Sequence, residues 1–403
     1  MNRNIITSAA LMALVLAAGS SGWLEDALAQ GQTPAAGRVL PMFEVDARFP
    51  IMPDRTLLGG VGGATADSHG NVWVFHRPHT LEEDNATLNG FVPAPPVLQF
   101  NASGRYIQGW GGPAKGQYEW FNRGGLFSAH VECQSCTTDR RRNGDGRPGS
   151  GEHGIFVDDK DNVWLTGNGN GDGQVLKFTK DGKFLLQIGK GGSPVDSNST
   201  EHLSRPAGIT VHSRTNEVLI ADGYGNRRVV VFDAETGKYK RHWGAYGNKP
   251  DDKAANAPQR SGPTSQQFNT PHGIAVANDG TVYVTDRANN RIQVFRLDGT
   301  FIKEAFVKRE SRGTGTAFGV ALSADPEQRF AYIADGSNDR IAILDRASLE
   351  EIGQIGGPGR KAGEFYHIHS LGVDPQGNLI TGESQGYRVQ KFVFKGLSTA
   401  TTR

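Results

Sequence analysis

The stretch Pro271-His272-Gly273-Ile274-Ala275-Val276, followed by Val282-Tyr283-Val284 and then Arg291-Ile292-Gln293-Val294-Phe295, decides the fold. Its segments are short and rich in β-branched and aromatic residues. Turn formers such as Asp279-Gly280 and Asn289-Asn290 separate them, so they read as consecutive strands rather than helix. The same wording, Gly-(Ile/Val)-x-Val, a turn, Val-(Tyr/Trp)-(Val/Leu), then Arg-(Ile/Val)-x-Val-Phe, recurs along the chain with a period of about 40 residues. The first copy runs from Gly62 to Tyr106-Ile107, the second from His153 to Gly192 and the third from Pro206 to Gly247. The fourth runs from Pro271 to Val307, the fifth from Phe318 to Gly357 and the sixth from His369 to Lys395. Four-strand units of this length predict an all-β, six-bladed β-propeller, not a solenoid.

The sixth copy ends at Lys391-Phe392-Val393-Phe394 and lacks the outermost strand of the others. Phe43-Glu44-Val45-Asp46-Ala47-Arg48-Phe49 precedes the first copy and has the length and alternation of that missing strand. It is therefore predicted to complete the last blade and close the ring, which removes an exposed edge. The expected organisation is a signal peptide over 1–29, a linker over 30–41, the propeller over 42–396 and a disordered tail over 397–403. Arg3, the apolar run Ile5 to Ala18 and Ala27-Leu28-Ala29 make up the signal, which implies a periplasmic or secreted protein.

Composition narrows the function. Lys+Arg total 43 and Asp+Glu 42, a net charge of +1, so no field draws the chain to nucleic acid or to an anionic membrane. No segment after the signal is long enough to span a bilayer, and the expected state is a monomer. Glycine, 54 of 403 residues, is about double its usual share and fits many tight turns. Cys133 and Cys136 form a C-x-x-C pair that, after export, reads most simply as a small-loop disulfide. Asn168-Gly169-Asn170-Gly171-Asp172-Gly173 imitates the start of a calcium loop, but Thr179 stands where the closing glutamate belongs, so it reads as a hairpin. Insertions at Pro113–Gly151 and Asn248–Gln267 both precede a histidine-bearing strand and are expected to crown that face.

One slot carries chemistry. The residue before the first strand is His153, His272 and His369 in the even-numbered copies, and Gly62, Ala207 and Phe318 in the odd ones. In a six-membered ring alternate blades lie about 120° apart, so the three imidazoles converge on the axis as a metal site. Three neutral imidazoles with an open position suit zinc. His367, two residues before His369, competes for the third ligand position or faces the substrate. The second strand returns to the same end, bringing Phe75-His76-Arg77, Asp222-Gly223-Tyr224 and Thr285-Asp286-Arg287 around the metal. Arg77 and Arg287 are in register, each fifteen positions after its slot residue, and Asp286 is an available salt-bridge partner for either. Two guanidiniums and a phenol beside a metal suit a small-molecule or peptide substrate bearing a carboxylate.

The repeats resemble NHL repeats, most clearly over His272 to Phe295. More specifically, Trp73-Val74-Phe75-His76-Arg77, His153-Gly154-Ile155, Ala221-Asp222-Gly223-Tyr224, Pro271-His272-Gly273 and Thr285-Asp286-Arg287 resemble the peptidyl-α-hydroxyglycine α-amidating lyases. That resemblance implies zinc on His153, His272 and His369. It implies Tyr224 as general base on the α-hydroxyl, Arg77 supporting it and helping position the substrate, and Arg287 helping hold the carboxylate. The reaction implied is cleavage of a peptidyl-α-hydroxyglycine into an amide and glyoxylate. An aspartate that helps hold a structural calcium in the animal enzymes is Ser370 here, which weakens the case for calcium. A methionine of that family is His367 here, and Gly225 follows Tyr224 where the animal enzymes have a disulfide cysteine. The alternatives are a metal-dependent hydrolase of lactonase or esterase type, and a non-catalytic NHL binding scaffold.

Overall fold

The computed structural model describes residues 39–83, 90–121, 151–255 and 260–399. Among these, six four-stranded antiparallel sheets follow one another along the chain, each starting with its innermost strand. The innermost strands are Gly60–Ala66, Glu152–Val157, Ile209–His212, Pro271–Val276, Ala317–Leu322 and Ile368–Val373. They surround a narrow axial channel of about 290 Å³. Val, Ile, Leu, Phe and Trp from the middle strands of each sheet pack against the next blade, giving six core clusters between successive blades. A six-bladed all-β propeller built of NHL repeats is therefore the architecture.

Ring closure follows the expected route. Val39–Asp46 pairs antiparallel with Arg388–Thr399 and supplies the outermost strand of the sixth sheet. Leu40 and Phe43 of this strand lie in the core cluster of blades five and six, where Phe43 meets Tyr332 edge-on at 5.8 Å. The strand starts at Val39, inside the stretch read as linker, and its partner continues to Thr399, inside the stretch read as a tail. Backbone pairing between the two ends orders both, which alternation of side chains could not reveal. Phe49 has left the sheet and packs on Phe100 of blade one at 6.3 Å. The signal segment, Cys133, Cys136 and Arg140-Arg141-Arg142 lie outside the described residues. Helix is limited to one five-residue turn, His79–Glu83, and three 3-10 turns among the described residues.

Turn chemistry repeats with the blades. Asp67 accepts from the backbone of His69 and Asn71 and from the side chains of Asn71 and Trp73. Asp158 does the same for Lys160, Asn162 and Trp164. A second device is an acid ending the second strand, bonded to an arginine starting the third: Asp222–Arg228 at 2.9 Å, Asp286–Arg291 at 2.7 Å, Asp335–Arg340 at 3.0 Å and Glu383–Arg388 at 2.5 Å. Asp286 is thereby committed to Arg291, not to Arg77 or Arg287 as its position in the sequence suggested. Adjacent strand residues point to opposite sides, so His76 and Asp286 turn into the blade with 0 % exposure while Arg77 and Arg287 face the axis end; Asp222 is likewise buried at 0 %.

Candidate metal centre

The innermost strand of five blades is irregular at one place. Register breaks fall between Val61 and Gly63, Glu152 and Ile155, Pro271 and Ile274, Ala317 and Val320, and Ile368 and Ser370. Each break contains or adjoins the slot residue. A bulge there re-aims the side chain, which ordinary alternation would leave between blades. The next residue is Gly63, Gly154, Gly208, Gly273 or Gly319 in five copies because neighbouring backbones touch at the axis. A Cβ on Gly273 would stand 2.7 Å from the Phe318 carbonyl oxygen.

His153, His272 and His369 meet there. Their ring centroids are 4.7–4.8 Å apart and their ligand nitrogens all lie within 4.8 Å of one another. Each Nδ1 contacts the backbone carbonyl of the slot residue in the next blade: His153 on Ala207 at 3.2 Å, His272 on Phe318 at 2.9 Å and His369 on Gly62 at 2.8 Å. A carbonyl only accepts, so every Nδ1 carries the proton and every Nε2 presents a lone pair inward. The odd-numbered copies thus fix the tautomers of the even ones. Thr166 and Thr285 hydroxyls also donate to the Ala207 and Phe318 carbonyls, and receive the backbone N–H of Gly154 and Gly273. In blade six the residue types are exchanged, with Ser370 on the first strand and Gly382 on the second, and the buried Ser370 hydroxyl has no hydrogen-bond partner among the described residues.

Burial, the neighbouring imidazoles, which resist a second positive charge, and the Arg77 guanidinium hold the proton affinity of His153 and His369 well below the ordinary imidazole value. For His272 burial acts first and Arg287 next. All three are neutral ligands at physiological pH. Among the described residues one hydroxyl, Tyr224, faces their Nε2 atoms, at 3.1 Å from His153 and 3.1 Å from His272. One phenolic proton cannot satisfy three convergent lone pairs, whereas a divalent cation does. The donor set therefore fits a metal ion of the borderline class, held by three imidazoles with a position left for substrate or water.

The surroundings are asymmetric. Tyr224 lies between His153 and His272, with ring centroids at 5.2 and 5.6 Å. Phe318 lies against His272 and His369 at 5.2 and 5.7 Å. The third gap belongs to blade one, whose slot residue, Gly62, has no side chain. Arg287 donates from Nη1 to the Tyr224 oxygen at 2.8 Å, anchors Nε on the Thr314 carbonyl at 2.9 Å and stacks on Phe318 at 4.3 Å. Arg77 anchors Nε on the Glu152 carbonyl at 2.9 Å. Arg287 is thus bonded to the phenol, a contact that the sequence reading did not assign to it.

His367 is close but is not the third ligand. Its φ of 59° is left-handed, so the chain is not extended between it and His369 and the two rings separate. The His367 ring packs edge-on against Phe318 at 5.1 Å, with Nδ1 3.1 Å from the Ser384 hydroxyl. The Asn248–Gln267 insertion does reach this face: Arg260 bonds the Ala288 carbonyl, next to Arg287. Trp120, at the described end of the other insertion, donates to the Glu152 carboxylate at 2.9 Å, directly behind His153.

Fold and site define a class: an NHL-repeat propeller with a buried three-histidine centre under a tyrosine–arginine pair. Comparison with known proteins agrees at that level. The family described as NHL repeat matches residues 268–295. Peptidylglycine alpha-amidating monooxygenase of Rattus norvegicus is 26% identical over 352 residues, 83% of this chain and 30% of that protein. Peptidyl-alpha-hydroxyglycine alpha-amidating lyase 2 of Drosophila melanogaster is 28% identical over 255 residues, 60% of this chain and 55% of that protein. The chain thus spans less than a third of the rat protein and about half of the fly one. A solved structure of a Bacteroides thetaiotaomicron protein of unknown function shares the fold, with a TM-score of 0.50 and 12% identity over 89% of this chain and 77% of that one.

Proposed function

We propose that this chain is an exported zinc-dependent lyase that cleaves a peptidyl-α-hydroxyglycine-like substrate to an amide and glyoxylate. The observation that carries the reading is the conjunction of three neutral, tautomer-fixed imidazoles with a phenol oxygen held 2.8 Å from a guanidinium. The names of the rat and fly relatives, together with this site, favour that substrate class over a lactone or ester.

In this reading Tyr224 takes the proton of the substrate's α-hydroxyl, because its oxygen is the one polar atom placed both at the imidazole mouth and on a cation. Arg287 Nη1 donates to that oxygen and fixes its position. As the carbinol oxygen becomes a carbonyl, the carbon–nitrogen bond breaks and its electron pair stays on nitrogen. The proton taken by Tyr224 ends on that nitrogen, giving the neutral amide, and the other product is glyoxylate. Zinc, held by His153, His272 and His369, supplies Lewis acidity toward a substrate oxygen. Positive charge from Arg77, whose field reaches all three imidazoles, attracts the carboxylate. Calcium has no support from the described residues, since Ser370 is the residue after His369.

The test is glyoxylate release from N-benzoyl-α-hydroxyglycine by zinc-loaded protein, with benzamide as the second product. Tyr224→Phe is expected to lower kcat by at least 10²-fold, the scale of a lost general base, with zinc content unchanged. Full turnover by Tyr224→Phe rules out the assigned base. Turnover of a lactone or ester with none of the hydroxyglycine replaces lyase by hydrolase.

A further inference from the structure

Arg205 is a third guanidinium at the mouth of the metal centre, and its place in the fold is built with unusual care. It occupies the position two before the slot in blade three, as His367 does in blade six. Its φ of 56° is left-handed, a conformation that costs free energy for any residue with a Cβ. Backbone contacts enforce it: the Arg205 N–H donates to the Asp172 carbonyl at 2.7 Å, and the Arg205 carbonyl receives the Tyr224 N–H at 3.3 Å. Its side chain anchors Nε on the Asn168 carbonyl at 2.9 Å, and its guanidinium carbon lies 5.5 Å from the Tyr224 ring centre. The glycine-rich hairpin that imitates a calcium loop thus serves as the cradle of this arginine.

The anchor carbonyls locate it relative to Arg77. Arg77 reaches blade two from blade one and bonds the Glu152 carbonyl, while Arg205 reaches it from blade three and bonds the Asn168 carbonyl. Those carbonyls belong to the same end of one strand pair, because Asn168 N–H bonds Gly151 and Glu152 pairs with Gly167. Two guanidiniums from flanking blades are therefore anchored on the same end of the strand pair that carries His153. The third, Arg287, is oriented on Tyr224.

We propose that Arg205 is a specificity-determining residue that, with Arg77, grips the carboxylate of the substrate, leaving Arg287 to serve the phenol. This rests on the reading of the site as a carboxylate-processing centre and names which cations do the reading. Two planar forks holding one carboxylate predict a preference for a free acid over its ester, which a single point charge gives only weakly.

The experiment uses the zinc-loaded full chain with N-benzoyl-α-hydroxyglycine, its methyl ester, and N-benzoylglycine as a binding probe that cannot be cleaved. For Arg205→Gln the expected result is a KM for the free acid raised about tenfold or more, kcat within about threefold, and the ester's KM unchanged. Calorimetry should show the same loss of N-benzoylglycine affinity. Arg205→Lys keeps the charge but not the fork and is expected to fall between wild type and Arg205→Gln; it also serves if Arg205→Gln does not fold. A fall in kcat with KM unchanged would mean that Arg205 acts through Tyr224 and would overturn the proposal. Equal effects on acid and ester overturn it too. If the wild type binds N-benzoylglycine but cleaves no hydroxyglycine, the lyase reading fails and Arg205 is judged on the binding data alone.

Discussion

At the scale of single residues, the centre depends on what holds the histidines as much as on the histidines. His272→Ala is expected to leave purified protein with no bound zinc, read by elemental analysis, because two imidazoles retain the ion poorly. Thr285→Val tests the supporting layer. It removes the hydroxyl shared by the Gly273 N–H and the Phe318 carbonyl, which also receives His272 Nδ1. Zinc affinity in a chelator competition should fall by about 10–100-fold, the usual cost of losing such support. An unchanged affinity would mean that the carbonyl keeps its position without the threonine. His76, the residue before Arg77, is buried inside the blade. His76 accepts the Gly59 N–H on Nδ1 at 3.0 Å and lies 3.0 Å from the Pro95 carbonyl through Nε2, so it is a neutral, fully satisfied core residue. Burial lowers its pKa from 6.5 to about 4. Between those values the unfolded chain binds the extra proton, so this contribution is complete above pH 6.5 and is lost as pH falls toward 4. Wild type should lose about 2 kcal/mol more than His76→Gln between pH 7 and pH 5 in denaturant titrations. Equal losses would place the acid sensitivity elsewhere.

At the scale of elements, blades three to six are each held by one acid–arginine pair between the second and third strands. Asp286 and Arg291 are buried at 0 and 1 % exposure, and Arg291 also reaches Tyr246 and Glu304. Replacing Arg291 by Met strands the Asp286 carboxylate in the blade. The expected cost is about 3–5 kcal/mol in urea unfolding, the range for breaking a buried pair from one side. Asp286→Asn combined with Arg291→Met is expected to recover part of that loss; if the double variant is worse than the single, the pair is not what holds the turn. These pairs explain why arginine opens the third strand in the repeat pattern. They also explain why Asp286 is not at the site although Arg287 is: consecutive residues of a strand face opposite ways.

At the scale of the molecule, function follows from closure. The three ligands come from residues 153, 272 and 369, and His369 Nδ1 finds its acceptor on Gly62, 307 positions earlier in the chain. The strand Val39–Asp46 joins the ends that make this possible. Phe43→Ala, at the seam, should cost about 3–5 kcal/mol, as for other large-to-small core changes. It should also weaken metal binding more than an equally destabilising change in blade three, because Phe43 packs in the same core cluster as Ile368, the residue before His369. Equal zinc affinity in the two variants would show that the centre is insensitive to the seam.

The repeat period, the β-branched segments and the turn residues settled the propeller in the sequence, since each copy states its strands locally. Alternation of histidine at one slot likewise made the metal ligands legible, because a ring converts sequence period into angle. Other features were decided only by tertiary structure. The bulge that turns the slot inward, the carbonyls of Ala207, Phe318 and Gly62 that fix the tautomers, and the bond from Arg287 to the phenol all arise between blades. Arg205 was missed for the same reason, although Arg205-Pro206-Ala207 lines up with Thr270-Pro271-His272 and that alignment was the available signal. Patterns within one strand report burial and period; contacts between strands far apart in the chain depend on backbone packing that no single repeat encodes.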